Sequence, residues 1–190
     1  MCGIAGFVDH ASGDDAEARL RAMGEAIAYR GPDDSGTFYD SATGLGFVHR
    51  RLAIVDLSSA GHQPMRSSSG RFVIIFNGEI FNYRELKTEL VKQGVSFLTQ
   101  SDTEVVLQLF IREREKFLNR LNGFYALAIY DSINNKMLVA RDRYGVKPLY
   151  YFFDESVFVF ASEMKGMVNF PVNREIDLVS LSLYFRLNYI

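Results

Sequence analysis

The sequence predicts an α+β protein, with strands first, helices in the middle and a strand meander after them. Three observations carry this. "GIAGFVD" (3–9) is a buried-strand pattern beginning almost at the first residue. "NYRELKTELVKQG" (82–94) and the stretch opened by "SDTE" (101–104) read as helices. Four β-like runs then follow at 123–131, 136–142, 148–154 and 157–162, separated by short polar turns such as "SINNK". A length of 190 residues lets one domain bury a proper core without staples.

Taken in order, the first strand is followed by "DDAEARLRAMGEAIAYR" (14–30). Its Ala16, Leu20, Met23 and Ile27 recur at helical spacing, and "RGPDDSG" (30–36) breaks that helix. Strands are expected at 36–40, 44–49 and 51–56, then a Ser- and Gly-rich loop over 58–71. "RFVIIFNGE" (71–79) reads as a buried strand that ends in a turn at Asn77–Gly78, and Gly94 closes the next helix. Ser101 and Glu104 have capping-box form, with Ser101 accepting from the Glu104 N–H and Glu104 reaching back, and their helix runs to about residue 121. The last four strands read as one antiparallel meander. The apolar stretch "DLVSLSLYFRLNYI" (177–190) reads as a helix without a stop signal, and more chain is expected to follow it.

Composition narrows the function. With 21 basic and 23 acidic residues evenly mixed, nothing favours nucleic acid or an anionic membrane. The first residues lack a basic segment followed by an apolar one, and no apolar run reaches a membrane span of roughly 20 residues. The single cysteine excludes an internal disulfide, so a reducing, cytoplasmic setting is expected.

That cysteine is Cys2. Once Met1 is removed, its thiol and a free α-amine share one residue. An α-amine titrates at about 7.7–8.0 and can move protons for its own side chain. A core cysteine at a strand start is the plainer alternative. A Cys/His pair would have to draw on His10, His49 or His62. His10 lies too near along an extended strand, and nothing in sequence beside the other two orients an imidazole. Asn77–Gly78 is most simply a turn, although a side-chain amide and a glycine N–H can also converge on an oxyanion. Arg50 and Arg51 beside an apolar strand suit a solvated edge or a bidentate grip on a carboxylate. Asp102, behind the cap Ser101, suits either a helix N-terminus or a substrate ammonium.

The order of these stretches is more specific than any one of them. "MCGIAGF", "RGPDDSG", "HRRLAIVDLSSAGHQPM" (49–65), "FNGEIFNYRELKTEL" (76–90), "SDTEVVL" (101–107), "LNGFYALAIYD" (121–131), "ARDRYGVKPLYY" (140–151) and "FASEMKGM" (160–167) together resemble the glutaminase domain of class II glutamine amidotransferases, the N-terminal nucleophile type. Within that group they are most similar to the N-terminal half of asparagine synthetases.

The resemblance implies a four-layer αββα sandwich of Ntn-hydrolase type. It implies Cys2 as the nucleophile on the side-chain amide of L-glutamine, with Asn77 and the Gly78 N–H as oxyanion hole. Arg51 would hold the substrate carboxylate and Asp102 its ammonium, with Leu52, Ile54, Asn77 and Glu79 in the same pocket and "RGPD" at its rim. No cofactor is implied for this half-reaction. ATP and Mg are expected only for a C-terminal synthetase domain, absent from these residues, that amidates aspartate with the released ammonia. A dimer is plausible by the same analogy. The expected division is a glutaminase domain over 1–170 and an apolar helical segment over 171–190 leading to the synthetase domain. Tyr29 departs from the family, where histidine often precedes "RGPD".

Three alternatives remain open on sequence: a glutaminase half serving another nitrogen acceptor, a module that binds glutamine or a partner without turnover, and a Cys/His hydrolase of other amides.

Overall fold

Side-chain alternation along the strands decides how the layers stack. In the computed structural model, which describes residues 1–10, 15–54, 56 and 58–189, strand β1 (Gly3–Asp9) turns Ala5 and Phe7 to one side and Ile4 to the other. Strand β5 (Phe72–Ile80) turns Phe72, Ile74 and Phe76 one way and Val73 and Ile75 the other. Strands apolar on both faces need cover on both, and the chain supplies it.

One sheet has five strands, in the order β2 (Asp34–Asp40), β3 (Leu45–Arg51), β1, β9 (Val157–Ala161) and β8 (Tyr150–Phe153). The other has four, in the order β4 (Met65–Arg66), β5, β6 (Gly123–Asp131) and β7 (Lys136–Arg141). Every pairing is antiparallel. Ile4, Phe47, Val73, Ile75, Ala126, Ala128 and Phe160 fill the space between the sheets. Helix α1 (Ala16–Ala26) covers the outer face of the larger sheet through Leu20 and Met23. Helices α2 (Tyr83–Lys92) and α3 (Asp102–Glu113) cover the outer face of the smaller one through Leu86, Leu90, Val105, Val106 and Leu109. The result is a four-layer αββα sandwich.

Several local expectations change. The strand expected over 51–56 does not form. After Arg51 the backbone turns away to serve other groups, as the Ala53 N–H donates to Asp33 Oδ2 at 2.8 Å and Leu52 contacts Cys2 (Val55, within that span, lies outside the described residues). The loop over 58–71 carries the short strand β4 and a 3₁₀ turn at Ser59–Gly61. Asn77–Gly78 is no turn: both residues continue β5, opposite Ala126 and Tyr125. The capping box is replaced by a shifted version. Ser101 Oγ accepts from the Thr103 N–H at 3.0 Å, and Glu104 reaches back past Ser101 to the N–H groups of Leu98 and Thr99.

Helix α3 stops at Glu113 because Arg114 takes φ +52°, and 3₁₀ turns continue to Arg120. The helix expected over 14–30 is α1 plus a 3₁₀ turn at Ala28–Arg30, its expected first residue Asp14 lying outside the described residues. The final strands are not one meander. β6–β7 and β8–β9 are hairpins in different sheets, because the loop between them winds around Asp142. Its carboxylate accepts N–H groups of Tyr144, Val146, Lys147 and Tyr125, which re-aims the chain across the sandwich.

Gly94, at φ +84°, closes α2 as expected, and the Val95 N–H returns to the Leu90 carbonyl at 3.0 Å. Helix α4 (Leu178–Leu187) is capped by Asp177 and buries none of its residues. Among the described residues, no helix is long and apolar enough to cross a membrane.

Candidate active site

The same alternation that fills the space between the sheets brings polar groups together at one end of it. Continuing the inward face of β1 back from Ile4 reaches Cys2. Continuing that of β3 past Phe47 and His49 reaches Arg51, and that of β5 past Val73 and Ile75 reaches Asn77 and then Glu79. There the apolar filling gives way to a cavity of about 90 Å³. Cys2, Arg51, Leu52, Ile54, Asn77, Gly78, Glu79 and Asp102 all line it, whereas Arg50, the three histidines and the residues of "RGPD" do not.

Cys2 is held from two sides. Its Sγ accepts the Leu52 N–H at 3.4 Å and lies 3.6 Å from the Leu52 carbonyl, while its own carbonyl accepts Arg30 Nε–H at 2.9 Å. Burial pushes the thiol above its ordinary value, and the Leu52 N–H, the terminal ammonium and Arg51 only partly offset that. At neutral pH the sulfur therefore keeps its proton and needs a base to become a nucleophile.

The imidazoles are engaged elsewhere, by groups the sequence did not reveal. His49 is fully buried and donates Nε2–H to the Phe76 carbonyl at 3.1 Å. Burial lowers its pKa to about 4, so it is neutral. His62 Nδ1 pairs with Asp34 at 2.8 Å. Neither lines the cavity.

Backbone accounting along β5 explains the oxyanion candidates. Residue pairs with β4 and side-chain acceptors show that residues 72, 74, 76 and 80 send their N–H and C=O groups to the β4 side, as alternation requires. Strand β4 begins only at Met65, opposite Ile74, so the edge of β5 from Phe76 onwards has no strand beside it. Gln63 Oε1 takes the Phe76 N–H at 2.7 Å, His49 takes its carbonyl, and Asp102 Oδ2 takes the Ile80 N–H at 3.1 Å. Gly78, between them, is left with its N–H on the open edge at the cavity. Asn77 points its side chain the same way as Ile75, and its Nδ2 is buried with no partner. Among the described residues, two donors thus stand unused in the cavity that Cys2 lines, a setting where such groups stabilise developing negative charge most. Gly78 must lack a side chain, since a Cβ there would lie 2.4 Å from the Phe124 carbonyl.

Arg51 is buried rather than solvated, because β3 is an interior strand of the sheet. Its Nη1 donates to the Ser58 carbonyl at 2.8 Å and its Nη2 to that of Asp56. A guanidinium has five N–H donors, so several remain for a carboxylate in the cavity. Gly61 packs against it, and a Cβ at that position would sit 2.2 Å from Nη2. Gly61→Ala therefore displaces the guanidinium, and we expect KM for a carboxylate-bearing substrate to rise about tenfold or more with a smaller change in kcat. Steady-state kinetics of the variant check this.

Asp102 opens α3 and is buried. Burial first, and the charge of Glu79 with it, push its pKa up to about 6, against the pull of the Ile80 and Thr103 N–H groups. Two carboxylates in one cavity, one of them raised in this way, form a receptor for an ammonium group.

Six lining residues had no role in the sequence reading, among them Asp56 and Gly61 beside Arg51. Gln63 and Thr103, linked by a 3.3 Å hydrogen bond, back the cavity; Phe76 walls it; and Lys147 reaches its mouth, with Nζ 3.5 Å from Met1 Sδ. Gln63 had a signal, as a polar residue between Gly61 and Pro64 in a quoted motif. Lys147 had none. No cluster of His, Cys, Asp and Glu among the described residues is arranged to hold a metal ion.

A family profile described as a glutamine amidotransferase domain matches residues 1–190. An asparagine synthetase [glutamine-hydrolyzing] 1 of Bacillus subtilis is 39% identical over 193 residues, covering all of this chain and 30% of that protein. A second from the same organism is 40% identical over 174 residues, covering 90% of this chain and 23% of the relative. The chain thus spans about a third or less of the length of these relatives. Among solved structures, the glutamine phosphoribosylpyrophosphate amidotransferase of B. subtilis, in complex with ADP and GMP, shares the fold. It matches with a TM-score of 0.74 and 24% identity over 87% of this chain and 43% of that one.

Proposed function

The chain belongs to the glutamine amidotransferase domain family, and from that premise we propose that it hydrolyses L-glutamine to glutamate and ammonia with Cys2 as nucleophile. The supporting observation is the convergence in one cavity of the thiol, two unused donors, a buried guanidinium and a raised carboxyl.

With Met1 removed, the Cys2 α-amine takes the thiol proton, and Sγ attacks the amide carbon of glutamine. The carbonyl electrons move onto oxygen, which Asn77 Nδ2–H and the Gly78 N–H stabilise. Collapse breaks the C–N bond, and the α-ammonium returns its proton to the departing nitrogen, so ammonia leaves and a γ-glutamyl thioester remains. Water, deprotonated by the same amine, repeats the addition and frees glutamate and the thiol. Arg51 holds the substrate carboxylate, and Asp102 with Glu79 its ammonium. Leu52 and Ile54 wall the pocket.

We further propose that residues 1–170 form the glutaminase unit and that 171–190 lead into an ATP- and Mg-dependent synthetase region, which spends the ammonia on aspartate. The names and greater length of the matched relatives support this, as does α4, none of whose residues is buried. The lone cysteine, needed as a thiol, suits a cytoplasmic setting.

The test is glutamate release by Met1-free protein beside Cys2→Ala and Asn77→Ala. Cys2→Ala should be inactive, and Asn77→Ala should lose about 10²–10³-fold in kcat. Saturable glutamine binding without product in correctly processed protein would favour a binding module instead. Activity surviving in Cys2→Ala would end the reading.

A further inference from the structure

We propose that Glu163, tethered by Tyr29 and Lys165, is a positioning residue for the nucleophile, acting on Cys2 through Arg30. The inference rests on the reading of Cys2 given above. It starts from a mechanical problem: after Met1 is removed Cys2 is a chain terminus, and termini fray unless tied down. A nucleophile has to be held within about 0.5 Å of its productive position.

Besides the Leu52 N–H on Sγ and the pairing of Gly3 with Arg50, two ties come from the segment after β9. Ser162 brackets Ile4, donating its N–H to the Ile4 carbonyl at 2.8 Å and accepting the Ile4 N–H on Oγ at 3.0 Å. The next residue, Glu163, reaches Cys2 itself through one intermediary. Its Oε1 accepts from Arg30 Nη1 at 2.8 Å, and Arg30 Nε donates to the Cys2 carbonyl at 2.9 Å. That carbonyl sits next to the bond about which the α-amine and thiol swing, so fixing it fixes the direction in which the amine meets the sulfur.

The intermediary cannot do this unaided. Arg30 is buried, its third guanidinium nitrogen, Nη2, has no partner among the described residues, and the Cys2 carbonyl is a neutral acceptor. Without Glu163 the cation would be left buried and uncompensated, which drives a guanidinium to turn towards water. Glu163 is itself held from outside. The Tyr29 hydroxyl donates to Oε1, Lys165 Nζ lies 3.4 Å from Oε2, and the same ammonium stands 3.8 Å above the Tyr29 ring. Although burial opposes ionisation of Glu163, its bonds to Tyr29, Arg30 and Lys165 prevail and hold its pKa below the ordinary value. Tyr29 does not line the cavity and so does not meet the substrate. Its departure from the family pattern acquires a role here, as the outer end of a chain of contacts that stops at Cys2.

The test uses Met1-free protein carrying Glu163→Gln or Tyr29→Phe, with Cys2→Ala alongside. Glu163→Gln should lower kcat for glutamine hydrolysis about tenfold or more and leave KM within about twofold, because a misaimed nucleophile affects the chemical step and not the Arg51 and Asp102 contacts. Alkylation of Cys2 by a neutral haloacetamide should slow in parallel, with the thermal midpoint little changed. Tyr29→Phe, which removes one exposed hydroxyl and keeps the ring under Lys165, should lower kcat about two- to threefold by loosening Glu163. It decides the matter if Glu163→Gln does not fold. Unchanged kcat, or a loss confined to KM or to stability, overturns the positioning role. Cys2→Ala inactive beside a fully active Glu163→Gln would remove only this inference, whereas an active Cys2→Ala would remove the reading beneath it.

Discussion

Protein that retains Met1 should turn over glutamine about 10²–10⁴-fold more slowly than protein beginning at Cys2, the range that a positioned general base contributes. The thiol is the reason. Burial raises its pKa, so at neutral pH the sulfur is protonated, and the single N–H from Leu52 at 3.4 Å does not reverse that. The two nearest imidazoles by sequence reading are committed, His49 to the Phe76 carbonyl and His62 to Asp34. Of the carboxylates that line the cavity, Asp56 is taken up by Ser58 and the Gln100 N–H, which hold its pKa below the ordinary value, and the proposed mechanism assigns Glu79 and Asp102 to the ammonium of the substrate. In the proposed mechanism the α-amine of Cys2 is the base, and an amide at that nitrogen cannot accept a proton. Met1 also lines the cavity beside Lys147, so its retention should raise KM as well. Two preparations, distinguished by intact mass and compared for glutamate release, decide the point. A retained Met1 with undiminished kcat would show that another group takes the proton.

Much of this site could be read from the chain because its motifs are local. "MCG", "RRL", "NGE" and "SDT" each put the right residue type near the right strand or helix end. What could not be read is which edges are open. Asn77–Gly78 has the composition of a hairpin turn, and local chemistry favours a turn there. The residues become strand because β6 pairs with them across nine positions, a non-local fact. Gly78 keeps its N–H free only because β4 is two residues long and Gln63 and His49 take the place of its continuation beside Phe76. The division of the last four strands between two sheets has the same origin. Their alternation is alike, and Asp142 in the connecting loop, not the strands, turns the chain across the sandwich. The shifted cap at α3 shows the limit at short range. Ser101 and Glu104 fit a capping box, yet Leu98 and Thr99 offer Glu104 three close N–H contacts, of which the Thr99 bond is 2.6 Å.

Asp102→Asn should weaken glutamine binding severely and at the same time stabilise the free protein. Truncating one partner of a buried charge pair costs about 2–5 kcal/mol, so KM should rise by roughly thirtyfold at least while the amide still accepts the Ile80 N–H. Stability moves the other way. The folded pKa of about 6 lies above the ordinary 3.8, so the folded state binds the proton more tightly than the unfolded one. The resulting stabilisation is complete below pH 3.8 and is lost as pH rises through 6; at neutral pH the ionised carboxylate costs roughly 3 kcal/mol, which the asparagine does not incur. His49 has the opposite sign. Its folded pKa of about 4 lies below 6.5, so its contribution is present above pH 6.5 and is lost as pH falls towards 4. In the native protein the two slopes oppose each other between about pH 4 and 6. In Asp102→Asn only the histidine slope remains, and stability should fall steadily with acidification. Denaturant midpoints from pH 4 to 8, together with KM over the same range, separate the effects. The native KM should climb below about pH 6 as Asp102 takes up its proton, and the variant should lack that limb. Equal midpoints for the two proteins at pH 7.5 would show that the charge is already well solvated in the empty cavity, and the account of Asp102 as a strained ammonium receptor would fail.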